Sequence, residues 1–295
     1  MTETTHVLTL IAKPLTADHV EAARAALPRR PRIDWLAADE ACDLYFETAA
    51  AADVAAAVRR VLAGQPVDLH CRPNDPDRRC RLMIADMDST MITVECIDEM
   101  AAVLGERKRI AEITERAMQG DIDFADALRE RAAILAGLEE VALQWVYDAR
   151  IHLSPGAREL VATMRAHGAE TALVSGGFDF FTERVSADLG FDHHQANGLS
   201  FVDGLLDGTV REPILDPSAK LVTLRRLMAA LGLPRSATLA VGDGANDLPM
   251  VQAAGLGVAY HAKPVLARAA AACIDHGDLT ALLYLQGYRR EEIST

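Results

Sequence analysis

The sequence is poor in cysteine, and the cysteines it has show no recognisable pairing. Its 295 residues contain five of them, an odd number, and no C-x-x-C pair. This pattern argues against a disulfide framework and fits incidental, reduced thiols, so we expect a cytoplasmic protein. The five are Cys42, Cys71, Cys80, Cys96 and Cys273.

Long apolar runs and an excess of basic residues are also missing. No window approaches roughly 18 uninterrupted apolar residues, which predicts no membrane span. The opening stretch MTETTHVLTLIAKP lacks the basic region and long apolar core of a signal peptide. The 43 acidic residues outnumber the 30 basic ones, and the formal charge is −13. This charge argues against nucleic acid or an anionic membrane as the main partner, but it is compatible with a small anionic substrate.

Two segments with different patterns divide the chain, as its length leads us to expect. Residues 5 to about 70 read as β-α-β-β-α-β, the split βαβ pattern. The stretch RPNDPDRRC, residues 72–80, is polar and contains proline, which is typical of a linker. We therefore predict a small α+β domain over residues 1–75 and a larger domain over residues 76–295.

The larger domain is predicted to have an α/β fold. The short apolar strand RLMIAD is followed by an almost wholly helical block at about 95–150, and strands and helices alternate after it. Alternation of this kind is typical of a Rossmann-like, mostly parallel sheet with helices on both faces. The helical block, inserted after the first strand, would form a cap above that sheet.

Polar residues and glycines follow three of the predicted strands. Ligands of open α/β sheets bind at the carboxyl ends of the strands, so we expect these residues to share one rim. They are Asp86, Asp88, Ser89 and Thr90 after the first strand, Ser175, Gly176 and Gly177 after the second, and Gly242, Asp243, Gly244, Asn246 and Asp247 after the third. Lys220, at the start of a predicted helix, can reach the same place.

This set of side chains suits a phosphoryl group and a hard cation. Asp86, Asp88 and Asp243 supply oxygens of the kind that Mg²⁺ takes, and the cation would offset the repulsion between close carboxylates. Ser175 and neighbouring backbone N–H groups can donate to phosphate oxygens, and Lys220 adds a positive charge. One aspartate could attack phosphorus while a second, two residues on, serves as acid and base.

Each motif has an ordinary structural interpretation when it stands alone. A lone D-x-D is usually a solvated turn, S-G-G is usually a turn, and the Asn and Asp of G-D-G-A-N-D can cap the next helix. A single lysine is usually a surface residue. The four together, in this order and each at a strand or helix end, favour a shared chemical role. The pair His193–His194 shows no ligand spacing and is predicted to lie in a surface loop.

The four motifs resemble those of the haloacid dehalogenase superfamily: DMDST at 86–90, SGG at 175–177, Lys220, and GDGANDLPM at 242–250. The stretch MDSTMITVECIDEMA is similar, within that superfamily, to the phosphoserine phosphatases. The resemblance covers residues 81 to about 290. It implies Mg²⁺-dependent hydrolysis of phosphoserine to L-serine and phosphate through an aspartyl-phosphate, which is the last step of serine biosynthesis.

The resemblance also implies roles for the individual aspartates. Asp86 matches the nucleophile, and Asp88 matches the general acid and base. Mg²⁺ would be held by Asp86, Asp243 and the backbone carbonyl of Asp88, and Asp247 would support these ligands.

Contacts to the substrate follow from the same resemblance. Residues implied to contact the phosphate or the substrate are Ser175, Gly176, Lys220 and Asn246. In the cap, Glu95 matches an acid near the substrate ammonium, and Arg131 matches an arginine on the substrate carboxylate. Met118 and Phe124 match apolar residues that close over the pocket. The Glu95 carboxylate, the Arg131 guanidinium and the metal site would bind the ammonium, the carboxylate and the phosphate of phosphoserine, respectively.

The N-terminal unit resembles ACT-like regulatory domains in the order of its elements. A dimerisation or solubility module without a ligand is an equal alternative, and a homodimer through residues 1–75 is compatible with either. Two other functions stay open here: a phosphotransferase that uses an alcohol as acceptor, and an amino-acid sensor with a silent phosphatase body. The complete set of Asp86, Asp88, Lys220 and Asp243 argues against silence.

Overall fold

The computed structural model describes residues 4–75, 77–119 and 121–294, apart from the side chains of Met118 and Gln119. The strands are β1 (Thr4–Ile11), β2 (Arg32–Ala37), β3 (Ala41–Thr48), β4 (Asp68–Pro73), β5 (Leu82–Ala85), β6 (Glu170–Phe178), β7 (His193–Asn197), β8 (Leu199–Val202), β9 (Leu205–Val210), β10 (Thr238–Gly242), β11 (Leu256–Tyr260) and β12 (Ala272–Ile274). The α-helices are α1 (Ala17–Ala26), α2 (Ala51–Val61), α3 (Cys96–Val103), α4 (Arg107–Gln119), α5 (Phe124–Ile134), α6 (Glu140–Arg150), α7 (Ala157–Ala166), α8 (Asp179–Leu189), α9 (Ser218–Leu231), α10 (Leu248–Ala253), α11 (Pro264–Ala267) and α12 (Ala281–Leu285).

The first four strands form an antiparallel sheet in the order β2-β3-β1-β4. The element order β-α-β-β-α-β agrees with the prediction. Alternate residues of β1, such as Leu8 and Leu10, are fully buried in one apolar cluster with Leu44, Val20 of α1 and Val58 of α2. The sheet therefore buries one face under its two helices. The domain boundary at residue 75 stays a prediction.

The opposite face of this sheet carries buried polar groups. Thr9 is paired with Asp43 on one side and His70 on the other, so the three side chains share a face. The Asp43 carboxylate is fully buried and accepts hydrogen bonds from Thr9 Oγ1 at 2.7 Å and the Tyr45 hydroxyl at 3.2 Å. It also forms an ion pair with Arg78. These partners are what a buried carboxylate requires to be tolerated in the interior.

His70 makes the stability of this protein dependent on pH. Burial, together with the positive charges of Arg72 and Arg59, lowers the pKa of His70 to about 4. An unfolded histidine titrates near 6.5, so the unfolded state takes up a proton first as the pH falls. The contribution of neutral, buried His70 to the free energy of unfolding is fully present above the unfolded pKa of about 6.5. It is lost as the pH falls towards the folded pKa of about 4. We expect the His70 contribution to the free energy of unfolding to fall by about 2 kcal/mol between pH 7 and pH 5.

Urea unfolding of the wild type and of His70→Gln at the two pH values measures this contribution. The glutamine variant lacks the titrating group, so its free energy of unfolding should fall less steeply with acidification, by that same difference. Identical pH dependence in the two proteins would contradict the prediction.

The second sheet has six strands in the order β12-β11-β10-β5-β6-β7. The pairs β10–β11, β11–β12 and β6–β7 are parallel, which agrees with the predicted Rossmann-like sheet. Every residue of β5, β10 and β11 is buried. Strands of a parallel sheet are covered on both faces, and this explains their nearly continuous apolar sequences.

Four helices follow β5, as predicted for the cap, and they are α3 to α6. Helix α3 contacts α4 and α6, and α4 contacts α5. The start of α5 is capped by Asp123, whose side chain accepts the N–H of Asp126 at 2.8 Å. The predicted hairpin is present as β8 and β9, which pair antiparallel, and β9 contacts α5.

Two predictions about the ends of this sheet were incomplete. His193 and His194, predicted to lie in a surface loop, begin the edge strand β7, which pairs in parallel with β6. The short strand β12 was not predicted at all, because three residues are too few to show a period. Both strands lie at the edges of the sheet, where burial and therefore hydrophobic patterning are weakest.

The described residues group into two compact units. The first contains the chain up to Met83, Pro155–Glu170 and the chain from Gly232 onwards, and the second contains Ile84–Ser154 and Thr171–Leu231. The N-terminal sheet and strands β10 to β12 belong to the first unit. The cap helices α3 to α6 and strands β7 to β9 belong to the second. Among the helices of the described residues, none has the length and apolar character needed to traverse a bilayer.

Candidate active site

Asp86 is held by a buried ion pair at the end of β5. Its carboxylate accepts the N–H of Met87 at 2.8 Å, and the Lys220 ammonium lies 2.7 Å from its Oδ1. Both side chains are almost fully buried, at 4% and 3% exposure. A charge pair this deep is weakly screened by solvent, so Lys220 offsets much of the charge of Asp86. The predicted nucleophile and the predicted phosphate-binding lysine are therefore in direct contact.

Asp88 is fixed by donors from two elements. Its Oδ1 accepts the backbone N–H of Cys96 at 2.8 Å, and its Oδ2 accepts the Ser175 hydroxyl at 3.1 Å. The N–H of Gly177 in turn donates to Ser175 Oγ at 2.8 Å. The carboxylate of Asp88 is thus oriented by the start of α3 on one side and by the end of β6 on the other.

The two glycines after Ser175 leave room for neighbouring side chains. A Cβ at Gly177 would lie 3.0 Å from Asp88 Oδ2, and a Cβ at Gly176 would lie 3.2 Å from the ring of Phe124. A larger residue at Gly177 would press against the Asp88 carboxylate, and one at Gly176 would press against the Phe124 ring. The Phe124 ring therefore lies beside Gly176 of the predicted phosphate loop. The side chain of Met118 lies outside the described residues.

Glu95 is held by a residue with an uncommon backbone conformation. Ser89 has a φ of 55°, and its hydroxyl donates to Glu95 Oε1 at 2.7 Å. The N–H of Ser89 donates to the carbonyl of Val94 at 3.3 Å, which closes the turn between them. Non-glycine residues in this left-handed region are uncommon and need support from their surroundings. The turn thus holds the Glu95 carboxylate beside Ser89, the residue after Asp88.

Arg131 faces an acidic environment within the cap. Its Nε donates to the carbonyl of Ala127 at 3.2 Å. Burial lowers the pKa of Arg131, and the nearby charges of Asp98, Glu95 and Asp88 oppose that decrease. Burial also raises the pKa of Asp98, against the attraction of Arg107 and Arg131. The structure thus brings Arg131 close to Glu95 and Asp88, and it adds Asp98 to this group.

Asp243 and Asp247 lie in the first unit, in the turn after β10. The Oδ2 of Asp247 accepts the N–H groups of Asp243 and Gly244, both at 3.1 Å. Asp247 is fully buried, and a Cβ at Gly242 would lie only 2.3 Å from its carboxyl carbon. The same turn holds Asn246 against Gly244, where a Cβ would lie 2.5 Å from the Asn246 Oδ1. Asp247 thus fixes the backbone that presents Asp243.

Lys263 is a polar residue of this region that the sequence analysis missed. Its N–H donates to the carbonyl of Asp243 at 2.8 Å, and its ammonium lies 3.4 Å from Asp243 Oδ2. It stands three residues after the end of β11, in the sequence YHAKP. The carboxyl end of this fourth strand was the available signal, because the same rule located the other three groups.

Asn197 is a second missed residue, and its role is to orient the loop of Ser175. Its amide nitrogen donates to the Gly176 carbonyl at 2.9 Å, and its oxygen accepts the N–H of Leu215 at 2.7 Å. Asn197 is 1% exposed, so these bonds replace its solvation completely. Nothing local in the sequence marks it, because both partners are distant along the chain.

Three of the predicted site carboxylates are buried: Asp86 in the second unit, and Asp243 and Asp247 in the first. Carboxylate oxygens are the hard donors that divalent cations such as Mg²⁺ prefer. Burial of several acids is costly unless cations offset their charge, and this site already places Lys220 beside Asp86. The chemistry of the donor set therefore fits a divalent metal.

Comparison with known proteins shows the family to which this chain belongs. A family model described as haloacid dehalogenase-like hydrolase matches residues 83–252. The phosphoserine phosphatase of Streptomyces coelicolor is 46% identical over 216 residues, which cover 73% of this chain and 52% of that protein. The phosphoserine phosphatase of Albidiferax ferrireducens is 45% identical over 210 residues, which cover 70% of this chain and 89% of that protein.

A solved structure of similar fold extends over nearly the whole chain. The crystal structure of a had family hydrolase from Salmonella enterica serovar Typhi superposes with a TM-score of 0.85 and 30% identity. The match covers 95% of this chain and 98% of that one, so it includes the N-terminal sheet. By contrast, the matched region spans about half the length of the Streptomyces relative.

Proposed function

The chain belongs to the haloacid dehalogenase-like hydrolase family, and we propose that it hydrolyses O-phospho-L-serine to L-serine and inorganic phosphate. The observation that carries the proposal is the different environment of two aspartates two residues apart. Asp86 is ion-paired with a buried lysine, whereas Asp88 is held by a hydroxyl and a backbone N–H. Two carboxylates in two environments suit two roles, a nucleophile and a proton carrier.

In the first step, an oxygen of Asp86 attacks phosphorus, and the bond between phosphorus and the serine oxygen breaks. The electron pair of that bond stays on the serine oxygen, which takes a proton from the carboxylic acid of Asp88. L-serine leaves, and an aspartyl-phosphate is formed on Asp86. Lys220, Ser175 and the backbone at Gly176 stabilise the charge on the phosphoryl oxygens.

In the second step, Asp88 acts as a base. Its carboxylate takes a proton from a water molecule, whose oxygen attacks phosphorus as the bond to Asp86 breaks. Inorganic phosphate leaves, and Asp86 is again a carboxylate while Asp88 is again protonated. The position of the Phe124 ring, 3.2 Å from where a Cβ at Gly176 would lie, supports a cap that excludes bulk water during the first step.

We assign the metal to Mg²⁺. Asp86, Asp243 and the backbone carbonyl of Asp88 would hold it, and the bonds from Asp247 to the backbone after β10 support the position of Asp243. When bound, the cation would supply positive charge against the phosphate oxygens. The burial of these acids is the observation that favours the assignment.

Substrate selection is assigned to the cap and its neighbours. Glu95 would pair with the ammonium of phosphoserine, and Arg131 would pair with its carboxylate through two parallel hydrogen bonds. Ser175, Gly176 and Lys220 would contact the phosphate. Asn246, in the turn after β10, would add a further contact.

The remaining assignments concern the organisation of the chain. We assign residues 1–75 to an ACT-like regulatory or dimerisation domain and residues 76–295 to the catalytic domain with its cap at about 95–150. The reaction is the last step of L-serine biosynthesis, which we assign to the cytoplasm. The antiparallel sheet and its element order support the ACT-like assignment.

Initial rates of phosphate release test the proposed function. We expect Mg²⁺-dependent release from L-phosphoserine, with much slower release from phosphothreonine, phosphotyrosine and a simple alkyl phosphate. Release from the alkyl phosphate alone would be consistent with the proposed mechanism but would reject phosphoserine as the substrate. No release from any of them would reject the proposal.

Arg131→Lys should weaken the recognition of phosphoserine in particular. Lysine keeps the charge but loses the paired hydrogen bonds, so we expect kcat/KM for phosphoserine to fall by about 100-fold. The rate with the alkyl phosphate, which has no carboxylate, should change little. Arg129→Lys, an exposed substitution on the same helix, is the matched control. An equal decrease in kcat/KM for both substrates would show that Arg131 does not bind the substrate carboxylate.

A further inference from the structure

We propose that Asp68, on the last strand of the N-terminal sheet, is a positioning residue for the metal ligand Asp243. The inference rests on the proposed function, since it takes Asp243 as a ligand of the metal. The N-terminal sheet would then support the metal site, and this role would not depend on a bound amino-acid effector. All residues of the argument lie in the first unit.

The Asp68 carboxylate is buried and binds three consecutive backbone amides. It is 4% exposed. Its oxygens accept the N–H of Asp275 at 2.8 Å, that of His276 at 3.2 Å, and that of Gly277 at 2.7 Å. Hydrogen bonds to a charged acceptor are about twice as strong as neutral ones. Asp68 therefore fixes the turn 275–277 that follows β12.

This turn holds His261, the first residue after β11. The N–H of His261 donates to the Ile274 carbonyl at 2.9 Å, and its Nε2 lies 3.0 Å from the Gly277 carbonyl. A carbonyl oxygen can only accept, so Nε2 carries the proton. His261 has a φ of 43°, in the left-handed region that only a few per cent of non-glycine residues adopt. Its conformation thus depends on where residues 274–277 are held.

His261 is connected to the backbone of Asp243 through Lys263. Two residues later, the N–H of Lys263 donates to the Asp243 carbonyl at 2.8 Å, and the Lys263 ammonium lies 3.4 Å from Asp243 Oδ2. A change in the conformation of His261 would move Lys263 and with it the support of Asp243. The hydrogen bonds thus connect Asp68 to the metal ligand through the turn 275–277, His261 and Lys263.

A second contact from the N-terminal sheet strengthens the same connection. The Lys13 ammonium lies 2.7 Å from Asp278 Oδ2 and 2.7 Å from Glu40 Oε1. Lys13 therefore ties the next residue after the turn 275–277 to the N-terminal strands. A Cβ at Gly277 would lie 3.2 Å from Asp68 Oδ2, so glycine permits the close approach of the carboxylate.

Direct measurement of Mg²⁺ binding to Asp68→Asn tests the proposal. Asparagine is isosteric but directs an NH₂ donor at backbone N–H groups, so the turn should be released. Loss of a partner that orients a ligand typically weakens metal binding by 10- to 100-fold, and we expect about tenfold. Calorimetry with Mg²⁺ on the full chain gives the dissociation constant without any substrate. Asp34→Asn, at the other edge of the same sheet and paired with Arg289, is the control and should change it less than about twofold.

His261→Phe is the second variant, because the side chain is exposed and its replacement should not prevent folding. It keeps an aromatic ring but cannot donate to the Gly277 carbonyl, and it should also weaken Mg²⁺ binding. Wild-type Mg²⁺ affinity in both variants would overturn the inference, even if Asp68→Asn lowered the melting temperature. A wild-type chain that binds Mg²⁺ but releases no phosphate from phosphoserine would reject the proposed function, and the Mg²⁺ comparison would still decide this inference.

Discussion

Asp86→Asn is expected to abolish phosphate release from phosphoserine, with kcat lower by about 10⁴-fold or more. The amide is isosteric, and its oxygen can still accept the N–H of Met87 that now binds the carboxylate. It cannot form a stable acyl phosphate, however, so the first step has no nucleophile. The fold should stay intact because the shape of the buried site is unchanged, but the melting temperature should fall, since the Lys220 ammonium loses its ion pair with the Asp86 carboxylate.

Trapping of the phosphorylated protein separates this result from a general loss of activity. Acid quenching during turnover of labelled phosphoserine should capture a phosphoprotein with the wild type and none with Asp86→Asn. Asp18→Asn, an exposed substitution on α1 with the same change of charge, should behave as the wild type. A phosphoprotein formed by Asp86→Asn would assign the nucleophile to another residue.

Asp88→Asn gives the complementary result in the same assay. The variant keeps the nucleophile but lacks the group that protonates serine and later activates water. With an aryl phosphate, whose leaving group needs no proton, the first step should still occur. The phosphoprotein should then accumulate, because its hydrolysis lacks a base. Failure to trap it would argue that Asp88 does not serve the second step.

Lys220→Met is expected to give the largest combined loss of activity and stability. The Lys220 side chain is 3% exposed and its ammonium lies 2.7 Å from Asp86 Oδ1, so its removal leaves that buried carboxylate without this ion pair. Breaking a buried pair in this way typically costs about 3–5 kcal/mol of stability. Loss of a group that stabilises the developing charge on phosphate should lower kcat by about 10²- to 10³-fold.

Thermal unfolding with chelator and with Mg²⁺ tests the electrostatic origin of the stability loss. In chelator the melting temperature should fall most, because no cation offsets the charge of Asp86. With Mg²⁺ the loss should be smaller if Asp86 is a ligand. Lys108→Met, at an exposed position of α4, is the control and should leave both quantities unchanged. A variant equally destabilised in both conditions would argue against charge compensation by the metal.

The sequence analysis succeeded where a chemical group follows a strongly patterned strand. The apolar runs before Asp86 and Asp243 are buried throughout, so their continuous apolar character and their ends could be recognised directly. The helix that carries Lys220 and the four helices of the cap have the amphipathic spacing that local patterns predict. The order of elements in the N-terminal sheet followed from the same rules.

It failed where the pattern was short or weak. The edge strand β7 begins with two histidines, neither of them fully buried, and the sequence pattern predicts a loop there. The strand β12 has three residues, fewer than any period requires. Lys263 follows the predicted strand β11, and the carboxyl end of that strand was the signal that could have identified it.

Local patterning was therefore sufficient for the identity of most elements and for the polar groups that follow the buried strands, because these depend on neighbours within a few residues. Contacts between distant residues required the folded chain. Asp68 and Asp275 are 207 positions apart, and Ser175 and Asp88 are 87 apart. Hydrogen bonds of this kind leave no period in the sequence. Only the packing of strands and turns determines which donor reaches which carboxylate.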